Sequence, residues 1–246
     1  MTIDRFSYAS LHLELLFDDT QLGYATGFVV LHKNLSYLMT NWHVVTGRHP
    51  ETNAPISKTA GIPNCLNVWF HRKHPDLHIW IQQKIYLFDK NGDKIWKEHP
   101  RKSNVDVIAI PLGNLGSSIV LHTLELSLAD TQIYLAPSEP VSIIGYPLGQ
   151  TSYGRFPIWK TGHIASDIDL DYDEKPAFLI DATTKEGMSG SPVVAKRIGL
   201  ITTAPGTHVM GGERIKFLGV YSNRTTNISD IGVVWKPKVI EEILNS

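Results

Sequence analysis

Three short segments carry the residue types that hydrolysis of an amide requires, in the order histidine, aspartate, serine. His43 lies in TNWHVV, Asp106 in NVDVIAI and Ser189 in EGMSGSPVV. A serine hydroxyl becomes a nucleophile when a base accepts its proton, and that base needs a further group to orient it. The three side chains would supply nucleophile, base and orienting carboxylate if the fold brings them together.

The local sequence around each residue suits such a role. The apolar run before His43 predicts that it ends a strand, so a rigid element would position its imidazole. Asp106 interrupts the apolar run VDVIAI, where a carboxylate is costly to bury unless it accepts hydrogen bonds, and a histidine N–H is a suitable donor. Gly187 and Gly190 flank Met188-Ser189 and permit a tight turn. Such a turn would point the N–H groups of Gly187 and Ser189 at one place, where they would form an oxyanion hole.

Each of these signals also has a purely structural interpretation. A histidine beside Trp42, or an aspartate at a strand end, commonly serves packing, and a Gly-x-Ser-Gly sequence is a common flexible loop. The occurrence of all three in one order, with the serine followed by Pro192 and an apolar strand, favours the catalytic interpretation. Ser191 remains an alternative nucleophile.

The elements that must position these residues are mainly strands. Short apolar runs separated by Gly, Pro, Asn and Asp recur along the chain, which is typical of an all-β protein. Asn91-Gly92, between KIYLFDK and DKIWKEH, predicts a two-residue hairpin turn. At the C-terminus, an amphipathic helix is predicted after Pro237, with one apolar face made of Val239, Ile240, Ile243 and Leu244.

Two runs of predicted strands, separated by a segment without clear strands, predict two β-barrels with a cleft between them. The first would span residues 1–115, with the histidine, the aspartate and a long insertion over residues 47–100. Residues 116–130 would link it to a second barrel over residues 131–235, which carries the serine. Residues 236–246 would form the C-terminal helix.

Composition excludes several other classes of protein. Among 246 residues, 42% are hydrophobic and 19% are charged, which is globular and not disordered. A net charge of −1 gives no basic surplus for nucleic acid or anionic lipid. The chain has no stretch of about 18 apolar residues, no N-terminal signal-peptide pattern and a single cysteine, Cys65, so we expect a cytoplasmic protein without membrane association. No cofactor is expected.

Together these segments resemble the trypsin/chymotrypsin-type serine peptidases, and within them the HtrA-type bacterial trypsin-like peptidases. The resemblance implies a double six-stranded β-barrel that hydrolyses protein or peptide substrates. It implies His43 as general base, Asp106 as its orienting residue, Ser189 as nucleophile, and the N–H groups of Gly187 and Ser189 as the oxyanion hole. The matching segments are ATGFVV (25–30), MTNWHVV (39–45), VDVIAIPL (105–112), IGYPLG (144–149), TGHIAS (161–166), LIDATTKEGMSGSPVV (179–194) and FLGVYS (217–222).

The chain also departs from the pattern of these peptidases. Met188 stands where secreted digestive members carry an aspartate, and the Ile-Val-Gly-Gly start that would pair with that aspartate is missing, so activation by N-terminal cleavage is not expected. Ser191 replaces a common glycine. Residues 44–105 are longer than in the HtrA-type domains, and no PDZ-like domain follows the helix.

The resemblance also implies where a substrate would bind. Thr183 would form the floor of the S1 pocket, and Ser222, Asn223 and Arg224 would form the edge that pairs with the substrate. Because this set has no carboxylate, a small or uncharged P1 side chain is predicted rather than Lys or Arg.

Other interpretations of the same residues are weaker. An α/β-hydrolase would need a helix after the serine and the order Ser-Asp-His, and neither occurs. His71, His74 and His78 suggest a metal site, but Pro75 breaks any helix that would align them, and we predict no metal. From a different functional class, a catalytically silent double barrel that binds peptides or acts as a scaffold remains the main alternative.

Overall fold

Strands form most of the regular structure, as the short apolar runs between turn residues predicted. In the computed structural model, the described part of the chain is residues 3–57, 60–73, 79–226 and 229–246, without the side chain of Ser103. The all-β fold class is confirmed: the strands form one eight-stranded sheet and one closed six-stranded barrel.

The first sheet is built from the N-terminal half of the chain. Its strands run in the order β5-β4-β1-β2-β3-β7-β6, and β8 pairs with β4. The pairs described between these strands are antiparallel, and β1, β2 and β3 follow one another as a meander. The strands are β1 (Ser10–Phe17), β2 (Thr20–His32), β3 (Leu35–Thr40), β4 (Cys65–Arg72), β5 (Trp80–Tyr86), β6 (Lys97–Glu98), β7 (Ile108–Leu112) and β8 (Ile119–Val120).

The second sheet closes on itself in the order β10-β11-β14-β13-β12-β9. Its two longest strands, β12 and β13, pair along almost their whole length and extend as a hairpin beyond the other strands. The strands are β9 (Pro140–Gly145), β10 (Ile158–Ile164), β11 (Ala177–Asp181), β12 (Pro192–Ala204), β13 (Thr207–Arg224) and β14 (Ile231–Trp235).

The strand number of the first unit differs from the six expected. The two additional strands can be taken as β6 and β8, which are only two residues long. Alternation of apolar and polar residues cannot identify a strand of that length. Because β8 pairs with β4, part of the segment 116–130 that the sequence assigned to a linker contributes to the first sheet.

The predicted hairpin turn at Asn91-Gly92 has three residues and not two. The N–H of Asp89 donates to the carbonyl of Asp93 at 2.8 Å, which leaves Lys90, Asn91 and Gly92 as the loop. Only Gly92 among them has positive φ, at 84°. This matches a type I turn followed by a left-handed glycine, whereas a two-residue type I′ turn would require positive φ at both central positions.

The described structure also has three short α-helices, besides the 3-10 helices Lys102–Asn104, Leu126–Asp130 and Pro147–Gly149. The α-helices are α1 (Arg5–Ala9), α2 (Trp42–Thr46) and α3 (Lys238–Asn245). The predicted C-terminal helix is confirmed, and its expected apolar face is buried: Val239, Ile240, Ile243 and Leu244 are each at most 3% exposed.

One hydrophobic core joins both sheets and α3. Phe28 of β2 packs edge-on against Phe217 of β13 with ring centroids 5.7 Å apart, and Ile240 of α3 belongs to the same cluster. Since packed cores resist deformation, this contact fixes the position of one sheet relative to the other. The cleft between them therefore has a defined shape.

Buried histidines give the fold a dependence on pH. His71 of β4 lies against Tyr8, His122 and Phe156, and burial, reinforced by the nearby His122, lowers its pKa to about 4. Burial likewise lowers the pKa of His12 to about 4. In the unfolded chain a histidine titrates near 6.5, so between pH 6.5 and 4 the unfolded state binds more protons than the folded state.

We expect the free energy of unfolding to fall as the pH drops from 6.5 to 4, by up to about 3 kcal/mol for each of these two histidines. Urea unfolding at several pH values would measure the slope. His71→Phe should flatten it, whereas His163→Phe, at an exposed position, should leave it unchanged. An equal slope in wild type and His71→Phe would contradict the assignment.

Candidate active site

His43 lies on the one-turn helix α2, directly after β3, and not at the end of a strand as predicted. Val44 and Val45 made the segment look extended, because β-branched residues favour strands. The helix ends at Gly47, whose φ of 62° is left-handed. Both valines are buried in the core of the first sheet and hold the helix, and with it the imidazole, in place.

Asp106 accepts three hydrogen bonds in the described structure. Its Oδ1 accepts from the backbone N–H of His43 at 2.9 Å, and its Oδ2 lies 2.6 Å from His43 Nδ1. The hydroxyl of Ser222 also donates to Oδ2. The carboxylate is 1% exposed, and these three donors replace the water that burial removes. Since a carboxylate only accepts, the proton of the neutral imidazole lies on Nδ1, and Nε2 is free to accept.

Ser189 lines the same cleft as His43, a cavity of about 520 Å³. Its hydroxyl donates to the carbonyl of Ser222 at 3.0 Å. Within the described part of the chain, no hydrogen bond joins Ser189 to His43. Such bonds are often long in unliganded enzymes and tighten when substrate binds.

The turn around Ser189 leaves two backbone donors without an acceptor. Among the described residues, neither the N–H of Gly187 nor that of Ser189 makes an intramolecular hydrogen bond, whereas the N–H of Met188 between them donates to Lys185. The turn is held from both sides: the hydroxyl of Thr26 in β2 donates to the carbonyl of Gly187 at 2.8 Å, and Met188 is fully buried in the core of the closed barrel. This arrangement can bind an anion or a developing oxyanion.

Gly187 has both a conformational and a steric requirement. Its φ is 92°, and a Cβ there would lie 2.2 Å from the carbonyl oxygen of Tyr146. Gly116 is a matched control because its φ is 85° but a Cβ would meet nothing within 4 Å. Both positions therefore share the backbone strain of an alanine, and only Gly187 adds the collision.

We expect Gly187→Ala to lower kcat/KM for peptide hydrolysis by about 100-fold or more, on the order of the loss of one oxyanion donor. Gly116→Ala should leave kcat/KM unchanged and cost about 1 kcal/mol of stability. Steady-state kinetics with thermal unfolding of both variants checks this. Full activity of Gly187→Ala would mean that the turn does not have to keep this geometry.

Of the four residues expected to contact substrate, three line the cleft that contains Ser189 and one does not. Ser222, Asn223 and Arg224 line the cleft beside Ser189, as the resemblance implied. Thr183, predicted as the pocket floor, is exposed and is not among the cleft residues; its neighbour Thr184 is 1% exposed and lines the cleft. Burial alternates over residues 182–184, so Thr183 and Thr184 face opposite sides of this segment.

A second cavity of about 510 Å³ is also lined by residues 222–225, together with Asp106, Tyr172 and Trp235. Residues 49 and 50, from the predicted insertion, line both cavities. Glu51 of the same loop forms a 2.6 Å ion pair with Lys175 from the second half of the chain. This partly exposed salt bridge connects the two halves of the chain at the second cavity, which both residues line.

Ser191, the alternative nucleophile, is fully buried with a hydroxyl that has no partner in the described structure, and it is not among the cleft residues. The described residues contain no cluster of three or more His, Cys, Asp or Glu that could hold a metal, while His74 and His78 lie outside the described residues. Among described helices, none is long and apolar enough to cross a membrane.

Sequence reasoning missed two contributors to this site. Ser222 was assigned only to the substrate-pairing edge, yet its hydroxyl binds Asp106. Thr26 was part of a matching segment without a role, yet it holds the turn at Gly187. Both contacts join residues more than 100 positions apart, so no local pattern could have revealed them.

Comparison with known protein families finds a match over most of the chain. A family profile described as the trypsin-like peptidase domain matches residues 25–201, which include His43, Asp106 and Ser189. No functionally curated protein matches the chain.

Three solved structures share its fold at identities that establish the fold alone. The Rv3671c protease from M. tuberculosis in its active form is 17% identical with a TM-score of 0.52, covering 98% of this chain and 81% of that one. Protease Anisep from Arthrobacter nicotinovorans is 13% identical with a TM-score of 0.53, covering 97% and 94%. The serine endoprotease from Yersinia pestis is 11% identical with a TM-score of 0.55, covering 98% and 63%.

Proposed function

The chain belongs to the trypsin-like peptidase domain family, and from that premise we propose that it is a serine endopeptidase acting on protein or peptide substrates. Ser189 is the nucleophile, His43 the general base and Asp106 its orienting carboxylate. Gly187 and Ser189 supply the oxyanion hole through their N–H groups.

The reaction proceeds in two halves. Ser189 Oγ turns from the Ser222 carbonyl to His43, gives its proton to Nε2 and bonds to the scissile carbonyl carbon. The C–N bond then breaks, the proton passes from Nε2 to the leaving amine, and an acyl-enzyme remains. Water, deprotonated by His43, attacks the ester, and the carboxylate product leaves as Ser189 regains its proton. In both halves the oxyanion lies against the N–H groups of Gly187 and Ser189.

One observation carries the proposal: His43, whose Nδ1 is bound to the buried carboxylate of Asp106, lines the same cleft as Ser189, and the N–H groups of Gly187 and Ser189 are unpaired in the described structure. Asp106 fixes the tautomer that leaves Nε2 as an acceptor, and this is what a general base for Ser189 requires. A structural histidine would not need an adjoining turn with two N–H groups kept unpaired.

A silent peptide-binding barrel is the second candidate, and the Ser189–Ser222 hydrogen bond favours it, because this bond directs the hydroxyl away from His43. The two candidates differ in the reactivity of Ser189. A fluorophosphonate forms a covalent bond only with an activated serine, whereas peptide binding needs none.

We expect a fluorophosphonate probe to label the intact, uncleaved chain at nearly one equivalent, with mass spectrometry locating the adduct on Ser189. Ser189→Ala is the matched control and should take up no probe. Folded protein that stays unlabelled would favour the silent barrel. Labelling that appears only after proteolytic trimming would contradict a preformed oxyanion turn.

A further inference from the structure

The gap between Ser189 and the interior of the closed barrel is occupied by the side chain of Tyr221. Tyr221 precedes Ser222 on β13, and successive side chains on a strand point to opposite sides. Ser222 reaches Asp106, so Tyr221 is directed towards the second barrel, where it is 2% exposed and lines the cleft that contains Ser189.

The ring of Tyr221 extends across this gap from β14 to the segment before the oxyanion turn. Its hydroxyl is hydrogen-bonded to Thr184 Oγ1. On the other side it packs over Gly232, where a Cβ would lie 2.6 Å from Tyr221 Cε2, so only glycine leaves room for the ring. Backbone bonds also fix it: the carbonyl of Tyr221 accepts from Gly190, and its N–H donates to Ser191, both at 2.9 Å.

The polar end of the ring is neutral. Burial raises the pKa of the Tyr221 hydroxyl above its ordinary value, so it keeps its proton at neutral pH. The hydroxyls of Tyr221 and Thr184 are hydrogen-bonded to each other, and both are uncharged. Neither residue therefore places a charge at the base of the gap. A P1 cation would lose its hydration there without gaining a counter-charge from this pair.

We propose that Tyr221 sets the P1 specificity of this peptidase, by filling the space that a long P1 side chain would enter and so admitting only small uncharged residues such as Ala or Val. This inference rests on the proposed function. In this proposal Tyr221, and not the exposed Thr183, determines which P1 side chains fit, and it does so through the volume of its ring and not through a charge.

The test is a series of peptide substrates that differ only at P1, with Ala, Val, Leu, Phe, Arg and Glu. For the wild type, kcat/KM for Ala or Val should exceed that for Phe and Arg by about 100-fold, since a closed pocket discriminates by whole groups of atoms. Arg and Glu are both included because the cleft is also lined by the charged residues Lys185, Glu186 and Arg224. A preference for Phe, Arg or Glu in the wild type would overturn the proposal without any variant.

Two variants of Tyr221 separate ring volume from the hydroxyl group. Tyr221→Ala should raise kcat/KM for the Phe or Leu substrate relative to Ala by about 10-fold or more. The matched control Tyr221→Phe keeps the ring but loses the hydrogen bond to Thr184, and it should keep the preference for Ala and Val. A P1 profile that is the same in Tyr221→Ala and wild type would overturn the assignment.

Fluorophosphonate titration of each variant measures the fraction of folded, active protein, and so distinguishes misfolding of a variant from failure of the proposal. Rates are normalised to the labelled fraction, so a poorly folded Tyr221→Ala sample is recognised. In that case Tyr221→Leu is used instead, because it removes the ring but leaves a smaller cavity. Wild type that is not labelled would refute the peptidase function itself, and with it this inference. Labelled wild type with a preference for large P1 residues would refute only the role of Tyr221.

Discussion

Replacing Ser189 with alanine should abolish peptide hydrolysis, with a loss of about 10⁴ to 10⁶-fold in kcat, as for removal of the nucleophile from a serine peptidase triad. The hydroxyl is half-buried and its described hydrogen bond goes to the Ser222 carbonyl. Its removal therefore takes away the attacking atom while costing about 1 kcal/mol of stability or less. Single-turnover and steady-state kinetics measure the loss, and thermal unfolding verifies the fold.

Ser191→Ala is the matched control for that experiment, because it removes the same hydroxyl two residues along the chain. Ser191 is fully buried, and its Oγ has no partner among the described residues, so its loss should leave activity within a few-fold of wild type. Retained activity in Ser189→Ala, together with loss in Ser191→Ala, would move the nucleophile to the alternative that the sequence left open.

Much of the architecture was predictable from local patterns. The second half of the chain repeats apolar runs between turn residues, and it forms a closed six-stranded barrel. Helix α3 was predictable because its four apolar residues recur at helical spacing after Pro237. Both predictions rest on patterns that extend over many residues, and such patterns predict an element whatever the exact packing of each side chain.

Helix α2 was not predictable, for a physical reason. Five residues with two adjacent valines have no helical period, and a single turn is unstable on its own. It forms because Val44 and Val45 are buried by the first sheet and because Gly47 accepts a left-handed φ. Tertiary contacts therefore override local preference at the element that carries His43.

Which of the two threonines lines the cleft could not be predicted for a related reason. Thr183 is exposed and Thr184 is buried, so an error of one position in counting back from Ser189 exchanges the two sides of the segment. The partner of Thr184 is Tyr221, 37 residues further along the chain, and only the folded structure shows that the two hydroxyls meet.

The burial of Met188 bears on how the site is kept ready. Its thioether side chain is packed in the core of the closed barrel with Val193 and Tyr221, next to the two unpaired N–H groups of the oxyanion turn. An aspartate there would need a buried positive partner, whereas methionine needs only apolar neighbours. The turn can therefore be ordered by packing of the second barrel itself.

Asp106→Asn should lower kcat/KM by about 10⁴-fold while leaving the fold in place. Oδ1 and Oδ2 of Asp106 together accept from three donors, two on His43 and one on Ser222. An asparagine replaces one acceptor oxygen with an N–H₂ donor. If this group faces His43 Nδ1, the imidazole must accept there and carry its proton on Nε2, where it can no longer take the proton from Ser189.

Ser222→Ala distinguishes this loss of the tautomer from a general loosening of Asp106. It removes one donor to the carboxylate but keeps the charge and both bonds to His43, so about 1.5–3 kcal/mol, or roughly 10- to 100-fold in kcat/KM, is the most it should cost. Fluorophosphonate labelling rates of the two variants give a second measure, since they depend on activation of Ser189 and not on peptide binding. Near-normal labelling of Asp106→Asn would place the residue that orients His43 elsewhere, whereas equal losses in both variants would make Ser222 as essential to the site as the carboxylate.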